Sequence, residues 1–354
     1  MESAKLYMAR CLQLARLGEY YVAPNPMVGA VLVERRNENG ELGKEVILGE
    51  GWHMQYGGPH AEPNCIRNAE KNHPEDIDYK HCTLYVSLEP CSHYGKTPPC
   101  AELIIKKGIG RVVVGCLDPN PKVAGRGVKM LQDAGIEVIV GVLEEECKEL
   151  NKRFICLQEK KRPYVILKWA QTADGYIDCR LEAKGERRKA KGPLVISTPL
   201  LKQLVHQQRA ENMAIMVGTR TVLLDNPKLL TTHWSGRNPI RITLDRHGVL
   251  PADSKIFSDE SETIVYRENT DWTFILEDLA KRNIHSVLVE GGARLLNTII
   301  ESGVYDEVHV EVGDSLGLSV EGLEFRDLGV KAPEYTFCSK PKMIDGHCVY
   351  IERH

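Results

Sequence analysis

Two stretches, Pro59-His60-Ala61-Glu62 and Glu89-Pro90-Cys91-Ser92-His93-Tyr94-Gly95-Lys96-Thr97-Pro98-Pro99-Cys100, constrain this chain more than any other feature. One imidazole and two thiolates are a sufficient protein ligand set for a catalytic zinc, which keeps a fourth tetrahedral position open. To use His60, Cys91 and Cys100 together, the fold must set a helix that opens after Pro59 against the segment following an apolar strand over 83–88. Two thiolates and a neutral imidazole leave such a zinc site formally uncharged, so the metal can still acidify its water towards neutrality. Glu62 would then handle the protons. Two other readings stand beside this one: a structural zinc with His53 or His93 as fourth ligand, and a set of small buried residues with no metal. Neither accounts for a carboxylate two residues after the histidine.

The order His-x-Glu…Pro-Cys…Cys is that of zinc-dependent base deaminases. Here eight residues separate Cys91 from Cys100 instead of the usual two. With that insert, the stretch resembles the bifunctional riboflavin-biosynthesis deaminase/reductase family, whose deaminase half carries Glu-Pro-Cys-Ser-His-x-Gly-Lys/Arg-Thr-Pro-Pro-Cys. The resemblance implies an N-terminal α/β/α sandwich of cytidine-deaminase type.

At 354 residues the chain exceeds what one core normally serves, so two domains are expected, 1–158 and 163–354. The charged break Glu159-Lys160-Lys161-Arg162-Pro163 separates them. Lys and Arg number 46 against 49 Asp and Glu, a net charge of −3 that argues against binding nucleic acid through bulk charge while leaving room for a local phosphate pocket. The first residues lead into an amphipathic helix and not a secretory signal, and no apolar run reaches bilayer length. Eleven irregularly spaced cysteines suit reduced core thiols. A cytoplasmic protein is expected, without nucleic-acid or membrane partners. The base rate of symmetric oligomers adds a homodimer.

Along the first half, a helix over 3–17 ends at Gly18, and strands are expected over 28–33, 46–51, 83–88, 111–115 and 136–140. A turn over 37–40 joins the first two. Helices over 62–69, 101–107, 125–134 and 144–158 fall between or after the later strands. This alternation implies a layered α/β domain with helices on both sheet faces. Pro24-Asn25-Pro26 and the loop 118–127 read as turns on composition alone. The family resemblance instead implies that Asn25, His53, His93, Lys96, Asp118 and Asn120 hold the substrate.

The second half opens with a strand over 164–170 and an Asp174-Gly175 turn, and continues with strands over 214–218, 240–245 and 286–290. Lys168 interrupts an apolar run, either as a surface lysine or as an inward one needing an anionic partner. The strand 286–290 runs into Gly291-Gly292-Ala293-Arg294-Leu295, where a helix start could receive a phosphate or simply make a turn; the chain lacks the G-x-G-x-x-G fingerprint here. This half also resembles the riboflavin family, whose reductase domain is dihydrofolate-reductase-like and uses NADPH. The matching pieces are 168–175, Arg209-Ala210, 217–229, Pro239-Ile240-Arg241 and 289–292. The resemblance implies that Lys168, Arg209, Leu229 and Glu290 meet the substrate, while Thr221, Asp225, Gly291, Gly292, Ala293, Arg294 and Leu295 meet NADPH.

There are departures. Val195 stands where the family has a tryptophan beside the nicotinamide, and Thr232 or His233 stands where it has an arginine. The basic run 184–191 reads as a solvated loop. The expectation is zinc-dependent deamination of 2,5-diamino-6-(5-phosphoribosylamino)pyrimidin-4-one, a small phosphorylated pyrimidine, followed by NADPH reduction of ribosyl to ribityl. Two alternatives are a zinc deaminase of a nucleoside or tRNA base with a docking C-terminal domain, and a non-catalytic zinc-stabilised interaction protein.

Overall fold

In a computed structural model the chain is described over residues 2–35, 45–74, 77–94, 98–120, 124–179, 195–313 and 329–354. Lys96, the turn over 37–40 and the basic run 184–191 lie outside the described residues. The chain divides into two compact units, Met1–Lys161 and Arg162–His354.

The first unit runs α1 (Glu2–Arg16), β1 (Gly29–Arg35), β2 (Glu45–Trp52), α2 (Ala61–Asn72), β3 (Cys82–Leu88), α3 (Cys100–Lys107), β4 (Arg111–Cys116), α4 (Arg126–Asp133), β5 (Glu137–Val140), α5 (Glu144–Leu150) and α6 (Lys152–Lys160). Its sheet has the order β2-β1-β3-β4-β5. β1 is antiparallel to both neighbours, whereas β3, β4 and β5 are parallel. Alternate side chains leave opposite faces of a strand. Leu32, Leu84 and Val112 therefore pack against Ala61, Cys65 and Ile104 on one face, and Val31, Tyr85 and Val113 against Met8, Cys11 and Cys147 on the other. Each fully buried aliphatic side chain contributes about 1.5–3 kcal/mol of transfer free energy. Two strand glycines allow the helices to approach: a Cβ at Gly29 would strike the Cys11 carbonyl of α1, and one at Gly51 the Cys65 amide of α2.

The helix expected over 144–158 is two helices. Asn151 leaves the helical path between α5 and α6, because its buried side chain accepts from Met27 N at 2.8 Å and donates to Met27 O at 2.9 Å. A buried backbone amide and carbonyl left unpaired would cost more than one helical hydrogen bond returns.

The second unit runs β6 (Tyr164–Thr172), β7 (Tyr176–Cys179), α7 (Pro199–Glu211), β8 (Ala214–Val217), α8 (Thr219–Asp225), β9 (Ile240–Leu244), β10 (Thr263–Tyr266), α9 (Trp272–Lys281), β11 (Ser286–Val289), α10 (Ala293–Ser302), β12 (Glu307–Gly313), β13 (Gly329–Lys331), β14 (Lys342–Ile344) and β15 (His347–Arg353). Among the described residues its main sheet has the order β10-β9-β8-β11-β6-β12-β15-β14, parallel through β12 and antiparallel beyond. β7 and β13 form a separate antiparallel pair. Gly175 adopts φ +83° in the turn after β6. The larger core of the second unit lies on the face of the sheet that carries Leu167, Trp169, Val308 and Val310, and a smaller one of Ile215, Val217, Val222, Leu229 and Ile256 on the other.

Candidate functional site

His60 is the N-cap of α2 and Glu62 its second residue, so the fold sets imidazole and carboxylate at one helix end. Cys91 lies just beyond β3, and Cys100 opens α3 after Pro98-Pro99. His60 Nδ1 is 3.6 Å from Cys91 Sγ and 3.4 Å from Cys100 Sγ, and the three ligand atoms lie within 4.8 Å of one another. Among the described residues this is the sole His/Cys/Asp/Glu group so converged. The Cys100 N–H donates to Cys91 Sγ at 3.3 Å.

Hydrogen bonding from Cys100, with the His60 imidazole, brings the Cys91 thiol down to about 4 against the opposing effect of burial. Cys100 is pushed up, first by its hydrogen bond to Cys91 and then by burial. Of the two sulfurs, Cys91 is thus the one whose thiolate is favoured. A second thiolate at this distance calls for a cation between them. A sulfur pair and an imidazole nitrogen, with no fourth described ligand in the group, fit a zinc ion that keeps one position open. Glu62 is buried at 3% exposure, and burial first, then the Cys91 charge, raises its pKa. A carboxyl whose pKa is raised is better suited to hold and return a proton than a free one.

Asn25 and His53 stand beside this group. His53 Nδ1 donates to the Pro59 carbonyl at 2.9 Å, which leaves Nε2 as acceptor for Asn25 Nδ2 at 3.1 Å. Burial lowers the His53 pKa and favours the neutral ring. The His53 and His60 rings meet edge to face at 5.5 Å. His93 is exposed, and Asp118 and Asn120 are half-buried, with Asp118 Oδ1 accepting from Asn120 N at 2.8 Å.

Glu89 drew no role from the sequence. Its Oε2 accepts from the amides of Asp118 at 3.2 Å and Gly125 at 2.9 Å, and its Oε1 from those of Gly127 at 2.9 Å and Val128 at 3.2 Å. One buried carboxylate therefore ties the 118–128 loop and the α4 N-terminus to the residue before Pro90-Cys91. The signal was a carboxylate placed between an apolar strand and a proline, which alone gives no partner.

In the second unit, Arg209 and Glu290 are brought together. Arg209 Nε and Nη2 donate to the two Glu290 oxygens at 2.9 and 2.6 Å, and Nη1 donates to Leu230 O at 3.1 Å. Lys168 is adjacent to Glu290, because Leu167 pairs with Val289 in the sheet. Burial lowers the Lys168 pKa, while Glu290 and Glu311 oppose it. Leu229 is buried at φ +56°.

Thr221 and Asp225 lie on α8. Thr221 Oγ1 sits 3.3–3.4 Å from where a Cβ would stand on Gly291 or Gly292, and Gly292 has φ +57°. Ala293 and Arg294 open α10, whose N-cap Gly292 supplies no side chain, and Leu295 is buried beneath them. A side-chain-free turn that ends in uncapped helix amides fits the phosphates of a dinucleotide such as NADPH. Val195 is 79% exposed and His233 is exposed, its ring edge to face with His206 at 4.7 Å.

Known proteins extend this geometry. Residues 1–116 match the family described as cytidine and deoxycytidylate deaminase zinc-binding region, and residues 163–314 the RibD C-terminal domain. The chain is 36% identical to the riboflavin biosynthesis protein RibD of Aquifex aeolicus, across 97% of this chain and 96% of that one. It is also 36% identical to the RibD of Actinobacillus pleuropneumoniae, across 88% and 83%. The crystal structure of a Thermotoga maritima diaminohydroxyphosphoribosylaminopyrimidine deaminase/5-amino-6-(5-phosphoribosylamino)uracil reductase matches with TM-score 0.79 and 36% identity, covering 99% of this chain and 98% of the other. The fold classes are accordingly a cytidine-deaminase-like N-terminal domain and a dihydrofolate-reductase-like C-terminal one. Matched from end to end by relatives that join the same two domains, the chain belongs to the RibD family of riboflavin-biosynthesis proteins.

Proposed function

We propose that this chain performs two consecutive steps of riboflavin biosynthesis, using Zn²⁺ and NADPH. It deaminates 2,5-diamino-6-(5-phosphoribosylamino)pyrimidin-4-one hydrolytically and then reduces the ribosyl group to ribityl. The observation that carries this reading is the convergence of His60, Cys91 and Cys100 beside the buried Glu62.

In the N-terminal domain, expected over 1–158, His60, Cys91 and Cys100 hold the zinc. Zinc supplies Lewis acidity and brings the pKa of a water close to neutrality. Glu62, buried beside these ligands, would take a proton from the attacking water and return it to the departing amine. Asn25 commits its amide N–H to His53 and so presents its carbonyl oxygen to the amino group of the pyrimidine. Lys96, His93, Asp118 and Asn120 complete the substrate contacts, with Lys96 suited to the 5′-phosphate.

In the C-terminal domain, expected over 163–354, Lys168, the Arg209–Glu290 pair and Leu229 orient the ribosyl-phosphate. Thr221, Asp225 and residues 291–295 hold NADPH, which supplies the reducing equivalent. The exposed Val195 offers the nicotinamide less covering surface than an aromatic ring would, so cofactor affinity rests on the glycine turn and α8.

The ligand is a small phosphorylated pyrimidine and not a nucleic acid, in keeping with the net charge of −3. No helix among the described residues is long and apolar enough to cross a membrane. The thiols of the described cysteines, free and mostly buried, suit the reducing cytoplasm, where a homodimer is the commonest assembly. Mass spectrometry of products tests the two steps. A gain of about 1 Da without NADPH reports exchange of amine for oxygen, and about 2 Da more with NADPH reports the reduction. Absence of both shifts would overturn the substrate assignment, and the first alone would remove the reductase role.

A further inference from the structure

On β6, Leu167 and Trp169 enter the core of the second unit, so Lys168 leaves by the opposite face. β12 alternates in the same way: Val308 and Val310 are in the core, and His309 and Glu311 stand on the Lys168 face, with His309 directly opposite Lys168 in register. α7 covers this face, as Gln208 Nε2 lies 2.9 Å from His309 Nδ1 and Arg209 holds Glu290.

Glu311 is itself clamped. The Ser197 hydroxyl donates to its Oε2 at 2.6 Å, and His347 Nδ1, from β15, lies 2.7 Å from its Oε1. Glu311 is 4% exposed and His347 9%. The order of contacts rules out a nucleophile triad, because the serine hydroxyl bonds the carboxylate and not the imidazole. What the arrangement does is hold. It ties Ser197, and with it the strand-like entry to α7, onto the end of β12, where Ile196 and His347 crowd Gly313 so closely that a Cβ there would lie 3.0–3.1 Å from both. Lys168 thus lies between two carboxylates that are each fixed by their own partners: Glu290 by Arg209, and Glu311 by Ser197 and His347.

We propose that Glu311, clamped by Ser197 and His347, is a positioning residue of the reductase: it supplies the second carboxylate on the Lys168 face and moors the 195–198 segment beside the site. The inference rests on the reading of Lys168 as a substrate ligand. Burial favours the neutral amine of Lys168, and Arg209 acts in the same direction, whereas Glu290 and Glu311 favour the ammonium. His206 on α7, Tyr164 on β6, Glu307 and His309 on β12, which pair at 3.1 Å, and His347 and Arg353 on β15 are the other titratable groups described on this face. Loss of the Glu311 charge therefore lets Lys168 give up its proton at lower pH.

The test uses the full chain with deaminated substrate and NADPH, followed by loss of NADPH absorbance across pH. In Glu311→Gln the alkaline limb of reductase kcat/KM moves to lower pH by about half a unit or more, and Glu311→Asp, which keeps the charge, restores it. Ser197→Ala keeps the carboxylate but releases the segment, so KM rises several-fold with the limb in place. An unmoved limb in Glu311→Gln overturns the proposal. Should that variant fail to fold, Ser197→Ala decides, and a wild-type KM there overturns it. Lys168→Met separates the two layers: if it reduces substrate at the wild-type rate, the Lys168 reading and this inference fall together. If it is inactive while Glu311→Gln keeps its limb, the inference alone falls.

Discussion

Glu62 is separated from its neighbours by charge state more than by position. His60, Cys91 and Cys100 converge on a point suited to a cation, whereas the burial that raises the Glu62 pKa suits a group that moves a proton. Replacing Glu62 with Gln keeps the volume and removes the transferable proton. Deamination should fall by a factor of about 10² to 10⁴, measured as ammonia release, while metal analysis still finds one zinc per chain. Loss of zinc in that variant would make Glu62 a ligand and remove the proton-carrying role. These residues were legible in the sequence because each chemistry needs its own side-chain type at short spacing. Glu311 was not. Its partners Ser197 and His347 come from segments far away in the chain, and only strand register makes them neighbours.

At the scale of elements, Glu89 bridges two structures that the sequence shows separately: the strand end that leads to Cys91, and the loop that leads to α4. Four backbone amides converge on its two oxygens, and a Cβ at Gly127 would strike the Pro90 carbonyl, so the α4 N-terminus rests directly on the segment that leads to Cys91. In Glu89→Gln one oxygen becomes an amide that faces two backbone N–H groups, and hydrogen bonds to a charged acceptor, worth about 1.5–3 kcal/mol each, are lost. The 118–125 loop should loosen, with deaminase KM up about tenfold or more and zinc retained; a KM within twofold of wild type would show that the loop holds itself. Element types were legible in the hydrophobic period, and strands such as β1, β3, β4 and β11 fall where the apolar runs are. The split of 144–158 into α5 and α6 was not, because the break is set by the bond from Asn151 to Met27, and periodicity carries no information about such a distant partner. β7, β10, β13 and β14 also escaped, since short or edge strands have weak patterns of their own and are completed by pairing; β12 and β15, interior strands of seven residues, were not read either, as charged residues and histidines interrupt their apolar positions.

At the scale of the whole molecule, acid should act on the second unit through the buried His206. Burial, then the Arg209 and His233 charges, pushes His206 down to about 4, and its Nδ1 accepts from Thr232 N at 3.0 Å. An unfolded histidine titrates near 6.5. Between about 6.5 and about 4 the unfolded chain therefore takes up a proton that the folded second unit refuses, so stability present above pH 6.5 is lost as pH falls through this window. Glu290 acts lower. Although burial alone would raise it, Arg209 holds it below the usual carboxylate range, and its contribution is lost only as pH falls through that depressed value. Three of the four tryptophans, Trp169, Trp234 and Trp272, lie in the second unit and Trp52 in the first, so fluorescence-monitored urea unfolding is weighted towards the second. In His206→Gln, whose amide oxygen can still accept from Thr232, the loss of stability between pH 6.5 and 4 should shrink, while the steeper loss below pH 4 remains. An unchanged slope in that window would mean that the His206 ring is protonated in the folded protein, and the Arg209–His206–His233 cluster would then carry one more positive charge than the structure implies.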